Sequence, residues 1–382
     1  MSRTRRPADV RNHSALGIDP ANPDHLVEIY QSVSRAWGRT GLIAYTSFDG
    51  GRQWRKAAPF RLPDGAAGLV DPAVAWDDCG RPYVAALALR SGTEWAAHSV
   101  LVYASPDGGL TWSAPSVLEA GERVHQPSAA WDANSASPNY GRVYVAWCAG
   151  GQLRFASGGE SGWERAELAA NCFCPEILVA PDGAVMVAWL EGQAGTRIEM
   201  ARSEDGGRRF GEPEPVATGI TSLRGSLPES EGWPHFPGAN FRVLTVPAGV
   251  TTPLGGVIFA WADFRDGISR IYYRTRPTAE DGWQAPEEGR ALLSGPLASA
   301  PDQQEFLPRL MITPLGEVCC AFYEYGPKAG RESELVDLIL AVSSDGGRTF
   351  QRRMVITEDA WNPNGDAPAG GTRGGMAWLK LR

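Results

Sequence analysis

Ser47–Trp54 reads SFDGGRQW, and the pattern returns as SPDGGLTW at Ser105–Trp112, SEDGGRRF at Ser203–Phe210 and SSDGGRTF at Ser343–Phe350. A segment repeated at intervals of tens of residues marks an internally repeated architecture, and that architecture decides the fold. Each copy places an Asp before Gly-Gly, a pairing suited to reversing the chain between two antiparallel strands. Immediately upstream lie alternating runs: GLIAYTS, SVLVYAS, TRIEMARS and VDLILAVSS. A second strand precedes each of these: HLVEIYQ, GRPYVAALAL, GAVMVAWLE and GEVCCAFYEY. A third is commonly opened by X-Pro, as in DPAVAWD from Asp71, QPSAAWD from Gln126, CPEILVAP from Cys174 and LPRLMITP from Leu307.

Two further units, Gly141–Trp163 and Gly255–Trp283, keep the strands while the octapeptide has decayed. The closing aromatics of the six units are Trp54, Trp112, Trp163, Phe210, Trp283 and Phe350, spaced 47 to 73 residues apart. Four short strands with variable loops fit that spacing. A four-stranded antiparallel unit repeated six times, without helical periodicity between units, predicts an all-β, six-bladed β-propeller. The C-terminal GGMAWLKLR reads as one extra strand that helps to close the ring.

The S-x-D-x-G-x-T-W pattern resembles the Asp-box, or BNR repeat, of the sialidase superfamily of six-bladed propellers. The resemblance spans residues 13–350. It implies that the box forms the hairpin between the third and fourth strands of a blade. Asp49, Asp107, Asp205 and Asp345 are then turn-building residues rather than catalytic ones. Strands alternate in direction, so turns 1–2 and 3–4 share one face of the disc. Loops 2–3, the blade-to-blade connections and the starts of the inner strands share the other, where propeller sialidases keep their site.

That second face supplies the candidates. Inner-strand starts give Asp71, His125, Cys172, Cys174, His235 and Glu305. Second-strand ends and the loops beyond them give Arg35, Trp147, Trp189, Trp261, Asp263, Arg265, Tyr323, Glu324 and Tyr325. Asp71, His125, His235, Asp263, Glu305 and Tyr323 are read as the catalytic set. Arg35, Trp147, Trp189, Trp261, Arg265, Arg309 and Tyr325 are read as substrate-binding. Each carries a structural alternative: Asp263 and Arg265 in WADFRDG suit a loop brace, and the tryptophans suit inter-blade packing. The long connection Gly219–Asn240 reads as a flap over the axis carrying Trp233 and His235, since loops of that length in compact domains are usually functional or disordered.

Sialidase chemistry, as the resemblance implies it, needs three arginines on a carboxylate, a Tyr nucleophile paired with a Glu, and an Asp acid/base. Arg35, Arg265 and Arg309 are candidates for the anion, Tyr323 with Glu305 for the nucleophilic pair, and Asp71 for the acid. The family's F/Y-R-I-P lies before its first box, whereas FRLP here, Phe60–Pro63, follows it. Two further readings stand beside the hydrolase: an intracellular biosynthetic propeller (cyclase, alkylating enzyme or lyase) on a non-sugar substrate, and a non-catalytic binding or scaffold propeller.

Composition narrows the partners. With 36 Lys and Arg against 44 Asp and Glu, a net charge of −8 gives nucleic-acid binding no electrostatic support. No apolar stretch approaches the roughly 18 residues of a membrane span. The expected partner is a small-molecule substrate. The Arg-rich start, MSRTRRPADVRNHSALG, has no apolar core of a secretory signal. Residues 1–12 therefore read as a basic tail, 13–382 as one propeller domain, and the cytoplasm as the expected location. The six cysteines read as buried thiols, because Cys172-Phe-Cys174 has no second Cys/His pair at metal-binding spacing. Neither a metal nor a cofactor is expected.

Overall fold

A computed structural model describes residues 10–34, 39–90, 97–230, 232–328, 333–363 and 379–381. Six four-stranded antiparallel sheets form the blades, each ordered from an inner strand to an outer one. Blade 1 is Val10–Asp19, Asn22–Ser34, Arg39–Ser47 and Arg55–Lys56; blade 2 is Ala66–Trp76, Pro82–Arg90, Ala97–Ala104 and Ser116–Ala120. Blade 3 is Val124–Trp131, Val143–Ala149, Gln152–Gly159 and Gly162–Ala170; blade 4 is Cys172–Val179, Val185–Glu191, Ile198–Ser203 and Glu214–Ala217. Blade 5 is Ala248–Thr251, Gly255–Asp263, Arg270–Thr278 and Arg290–Ala291; blade 6 is Gln304–Ile312, Val318–Gly326, Leu335–Ser343 and Arg352–Val355. The C-terminal strand Leu379–Leu381 joins blade 1 in parallel, pairing Ser14 with Leu379 and Leu16 with Leu381. Both ends of the chain thus build the same blade, on its inner edge. Among the described residues no helix is long and apolar enough to cross a membrane.

The second strands of blades 2 to 6 are buried almost along their whole length, which is why isolated blades are not stable units. The apolar clusters run across blade boundaries: Val74, Trp76 and Tyr103 of blade 2 pack with Val27 and Ile29 of blade 1. Trp147 of blade 3 packs with Leu87 and Val100 of blade 2, and Trp189 of blade 4 with Tyr144 and Phe155 of blade 3. Trp261 lies in the cluster that joins blades 4, 5 and 6.

The four octapeptides share one geometry. Ser47 Oγ donates to Asp49 Oδ1 at 2.9 Å and accepts from Gly51 N at 2.9 Å, while Asp49 Oδ1 accepts from Gln53 N at 2.8 Å. The same set recurs around Asp107, Asp205 and Asp345. Amides that no strand partner reaches are thereby satisfied inside the turn. At Asp49 and Asp205 the leading effect is the backbone amide donated to the carboxylate, which lowers its pKa. At Asp107 and Asp345 the leading effect is burial, which raises it, but the combined hydrogen bonds outweigh burial and the net shift is downward.

Three boxes also grip the preceding blade. Gly108 O accepts from His25 Nε2 at 2.8 Å and Thr46 Oγ1 at 2.9 Å, both in blade 1. Tyr273 of blade 5 donates to Arg348 O in the blade 6 box at 2.8 Å. In blade 4, Gly206 and Gly207, at φ 73° and 83°, lie so close to Asn139 and Phe155 of blade 3 that an added Cβ would meet atoms at 2.4 and 2.3 Å. Positive φ and close approach together require glycine there.

Replacing Asp107 by Ala is expected to cost about 1–2 kcal/mol, the modest end for hydrogen bonds to a charged group at the solvent edge. Because the folded carboxylate pKa lies below the unfolded value, its contribution is present above the unfolded pKa and lost as pH falls through the folded one. Calorimetric melting from pH 7 down to pH 3 should therefore show a shallower acid slope for Asp107→Asn than for the wild type.

Candidate functional site

The X-Pro dipeptides of the inner strands mark a repeated irregularity. Asp71, Gln126, Cys174 and Leu307 have φ of 51°, 35°, 50° and 52°. Each precedes a proline, and each lies where the inner strand slips register against its neighbour: between Val70 and Ala73, opposite Ala146–Cys148, between Phe173 and Glu176, and between Phe306 and Arg309. An L-residue there is strained, and the following proline restricts it further. Proline also removes the amide that the broken ladder would otherwise orphan. Backbone strain of this kind costs on the order of 1–3 kcal/mol per residue and concentrates at ligand clamps and active sites. The dipeptides do not open the strands, as the sequence suggests; Asp71 is the sixth residue of Ala66–Trp76.

The bulges ring the propeller axis. A hollow of about 50 Å³ is lined by Ser14 of blade 1, Asp71 and Pro72 of blade 2, Gln126 and Pro127 of blade 3, Cys174, Pro175 and Glu176 of blade 4, Val246 and Pro247 just before blade 5, and Arg309 of blade 6. At about 10–15 Å³ per water, it takes a few waters or one carboxylate-sized group. Cys174 donates its thiol to Gln126 Oε1 across two blades.

His125 sits one residue before the blade 3 bulge, half-buried. Burial is the main cause of its lowered pKa, Arg123 and Arg242 push in the same direction, and Asp71 opposes them. The imidazole therefore lies within the field of a carboxylate from blade 2 and a guanidinium from the connection ahead of blade 5. Tyr323 of blade 6 is 7% exposed, its ring stacked on Phe306 at 5.5 Å. Burial raises its pKa while Arg309 lowers it. Of the sequence-derived candidates, Asp71 and Arg309 line the hollow, and the charge of each acts on a further one: Asp71 on His125 and Arg309 on Tyr323.

The remaining candidates lie elsewhere. Trp147, Trp189 and Trp261 are 1%, 2% and 0% exposed and fill the inter-blade core, where no ligand reaches them. Asp263 is fully buried, accepting from Arg265 N at 2.9 Å and Trp261 Nε1 at 3.3 Å and pairing with the Arg265 guanidinium, which also covers the Tyr272 ring at 4.0 Å. That is the loop brace. Tyr325 packs against Phe236 and Phe241 and donates to Glu334. His235 does not begin an inner strand: it lies well before Ala248–Thr251, with Nδ1 donating to Trp233 O at 2.7 Å. Its resemblance to His125 in the sequence comes from a proline nearby, not from an equivalent place in a blade.

Glu305 is 2% exposed and accepts from Ile271 N at 2.8 Å; burial leads the causes that raise its pKa. It pairs across the strands with Glu324 while Phe306 pairs with Tyr323, so alternation puts Glu305 on the opposite face from Tyr323. The expected Tyr323–Glu305 pair does not form. Glu324 itself is held by Lys328 at 2.9 Å and Arg353 at 2.7 Å. Arg61 of FRLP is exposed on the connection after blade 1, its carbonyl accepting from Tyr103 at 2.8 Å. Arg35 lies outside the described residues.

Gly219–Asn240 is a packed connection rather than a flap, with Leu223, Leu227 and Phe236 buried in the main core. Just beyond it comes Arg242, which the sequence reading did not single out, its guanidinium 4.9 Å from the Trp233 ring. Arg123 and Gln126 were missed as well, although they flank His125 in the sequence. The cysteines also differ from expectation: Cys148 and Cys172 form a disulfide between blades 3 and 4 and Cys79 is exposed, while Cys174, Cys319 and Cys320 are buried thiols outside any disulfide.

No protein-family model matches the chain, and no curated protein matches it by sequence. Solved structures do. The leech intramolecular trans-sialidase complexed with 2,7-anhydro-Neu5Ac superposes at TM-score 0.53 and 11% identity, over 83% of this chain and 65% of that one. The intramolecular trans-sialidase from Ruminococcus gnavus, in complex with oseltamivir carboxylate, gives 0.53 and 12% over 83% and 90%. The NanB sialidase from Streptococcus pneumoniae gives 0.52 and 9% over 83% and 65%. The chain therefore spans about two thirds of the leech and pneumococcal proteins, and these three sialidases share its propeller fold.

The His125 environment yields a two-sided test by NMR titration of the imidazole. His125 should titrate below the ordinary histidine value of about 6.5. Asp71→Asn should move it lower still, and Arg242→Gln should move it up. Shifts in the same direction for both variants would contradict the described field.

Proposed function

We propose that the chain is a sialidase-like propeller enzyme that anchors a small anionic organic substrate on the propeller axis, opposite the Asp-boxes, and transforms it by acid–base chemistry. A glycoside-hydrolase type of reaction leads. The observation that carries this reading is the axial hollow of carboxylate size, lined by Asp71 and Arg309 among the strained bulges, with His125 one residue before the blade 3 bulge and under the charges of Asp71, Arg123 and Arg242. Guanidinium forks match the geometry of a carboxylate, and a lowered pKa keeps the imidazole neutral and able to accept a proton at neutral pH. Asp71 beside it steadies the imidazolium once the proton arrives. Tyr323, its phenol under the influence of Arg309, is the candidate nucleophile for an anomeric carbon that already bears an anion. The narrow hollow admits the carboxylate-sized end of such a substrate and leaves the rest toward the open face. The sialidase neighbours support the fold of this reading alone.

One observation favours a second reading. The carboxylate of Asp71 at the hollow acts on the charge of a nearby imidazole, His125, rather than on a second carboxylate, which suits proton abstraction in a lyase or cyclase on a non-sugar substrate.

Fluorogenic sialosides and other anionic glycosides test the leading reading. Turnover is expected, with Arg309→Ala and Arg242→Ala each weakening KM roughly 10- to 100-fold, the worth of a charge-assisted contact. His125→Ala should lower kcat by about 10²–10⁴. Absence of turnover by concentrated enzyme, together with binding of N-acetylneuraminic acid or oseltamivir carboxylate, would transfer the site to the second reading. Absence of both would remove the anionic substrate.

A further inference from the structure

On the Asp-box face, blade 3 breaks the rule that its neighbours follow. Its third-to-fourth-strand hairpin, SGGESGW at Ser157–Trp163, has no Asp and builds no box. In blades 2, 4 and 6 the box seats on the blade before it. Here the hairpin reaches blade 2 through Glu160, which pairs with Arg81. The result is an open groove of about 740 Å³ between blades 2, 3 and 4, far larger than the axial hollow and within the roughly 300–1,000 Å³ of organic-ligand sites.

The groove's charges are arranged in pairs. Arg81 bonds Asp77 Oδ2 through Nε at 2.7 Å as well as Glu160. Glu164 lies between two guanidiniums, paired with Arg142 and 3.6 Å from Arg208. Arg142 also donates to Ser157 Oγ at 2.8 Å, while its buried Nε has no hydrogen-bond partner among the described residues. Three arginines therefore face four lining carboxylates, Asp78 included, so a free anion or nucleic acid gains no net attraction. Three aromatic residues complete the lining: Tyr140, 38% exposed, Trp163, half-buried, and the buried Tyr83.

We infer that this groove is a binding site for a neutral saccharide. Vicinal hydroxyls each donate and accept, so they need carboxylates and guanidiniums side by side, and the pairs here supply both. The C–H face of a pyranose is weakly positive and apolar, and an aromatic face is its complement. An apolar ligand would leave the charged walls desolvated without partners. The site lies on the face opposite the axial one and does not depend on the reaction proposed there.

The test is an array of neutral oligosaccharides probed with the whole chain, followed by saturation-transfer NMR on the glycans retained. Retention of at least one neutral glycan is expected, with affinity falling at least about tenfold in both Tyr140→Ala and Arg142→Gln. His125→Ala should bind it as the wild type does. Tyr140 is exposed, so its variant is expected to melt at the wild-type temperature, which separates lost binding from lost fold. No neutral glycan retained, or one whose binding both groove variants leave unchanged, would overturn the inference. So would a glycan lost only in His125→Ala.

Discussion

A blade of this protein is apolar on both faces, and only a neighbour on each side covers them. That constraint sets the rest. Strands such as Val143–Ala149 and Val318–Gly326 are buried along their whole length, and their side chains have no solvent face to choose. Closure into a ring satisfies every blade at once. The Asp-box makes that closure specific: a Ser–Asp pair saturates the turn's own amides, and its glycines let the turn seat on the blade behind. The box is a mechanical part. Its carboxylates, held by amides and hydroxyls at the rim, are not available for catalysis at the axis.

The inner edge obeys a different logic. Six strands converging on an axis cannot all continue their ladders without crowding, and the inner strands slip register there. One slip in each of blades 2, 3, 4 and 6 places an L-residue at positive φ before a proline. The strain is repeated rather than incidental, and it turns Asp71, Gln126 and Cys174 toward one small hollow. Crowding at the axis accounts for the slips themselves; that the strained positions carry Asp71, Gln126 and Cys174, facing one hollow, is what supports the proposed site.

The fold was legible because its signal is periodic. Four octapeptides, six sets of strands and the direction rule sufficed to place the boxes on one face and Asp71, His125 and Arg309 on the other. What the sequence hid was radial position. Trp147, Trp189 and Trp261 sit at equivalent places in their strands, but whether such a ring faces a ligand or a neighbouring blade depends on packing that strand alternation does not encode. Asp263 and Arg265, read as catalytic and substrate-binding, form instead the loop brace that WADFRDG offered as the alternative. Glu305 was misjudged because its facing depends on the register of the pairing with Glu324. Arg242 was hidden in a long connection whose packing no periodicity announces.

The two faces are given separate duties: turns that lock blades together on one, and on the other a strained axial ring proposed to receive an anionic group. Diffraction from crystals soaked with N-acetylneuraminic acid tests that division most directly. The account predicts electron density over the axial hollow, with the ligand carboxylate in hydrogen-bonding distance of the Arg309 or Arg242 guanidinium and His125 facing the ligand. Density confined to the Asp-box face, or an axis empty of ligand at saturating concentration, would contradict it.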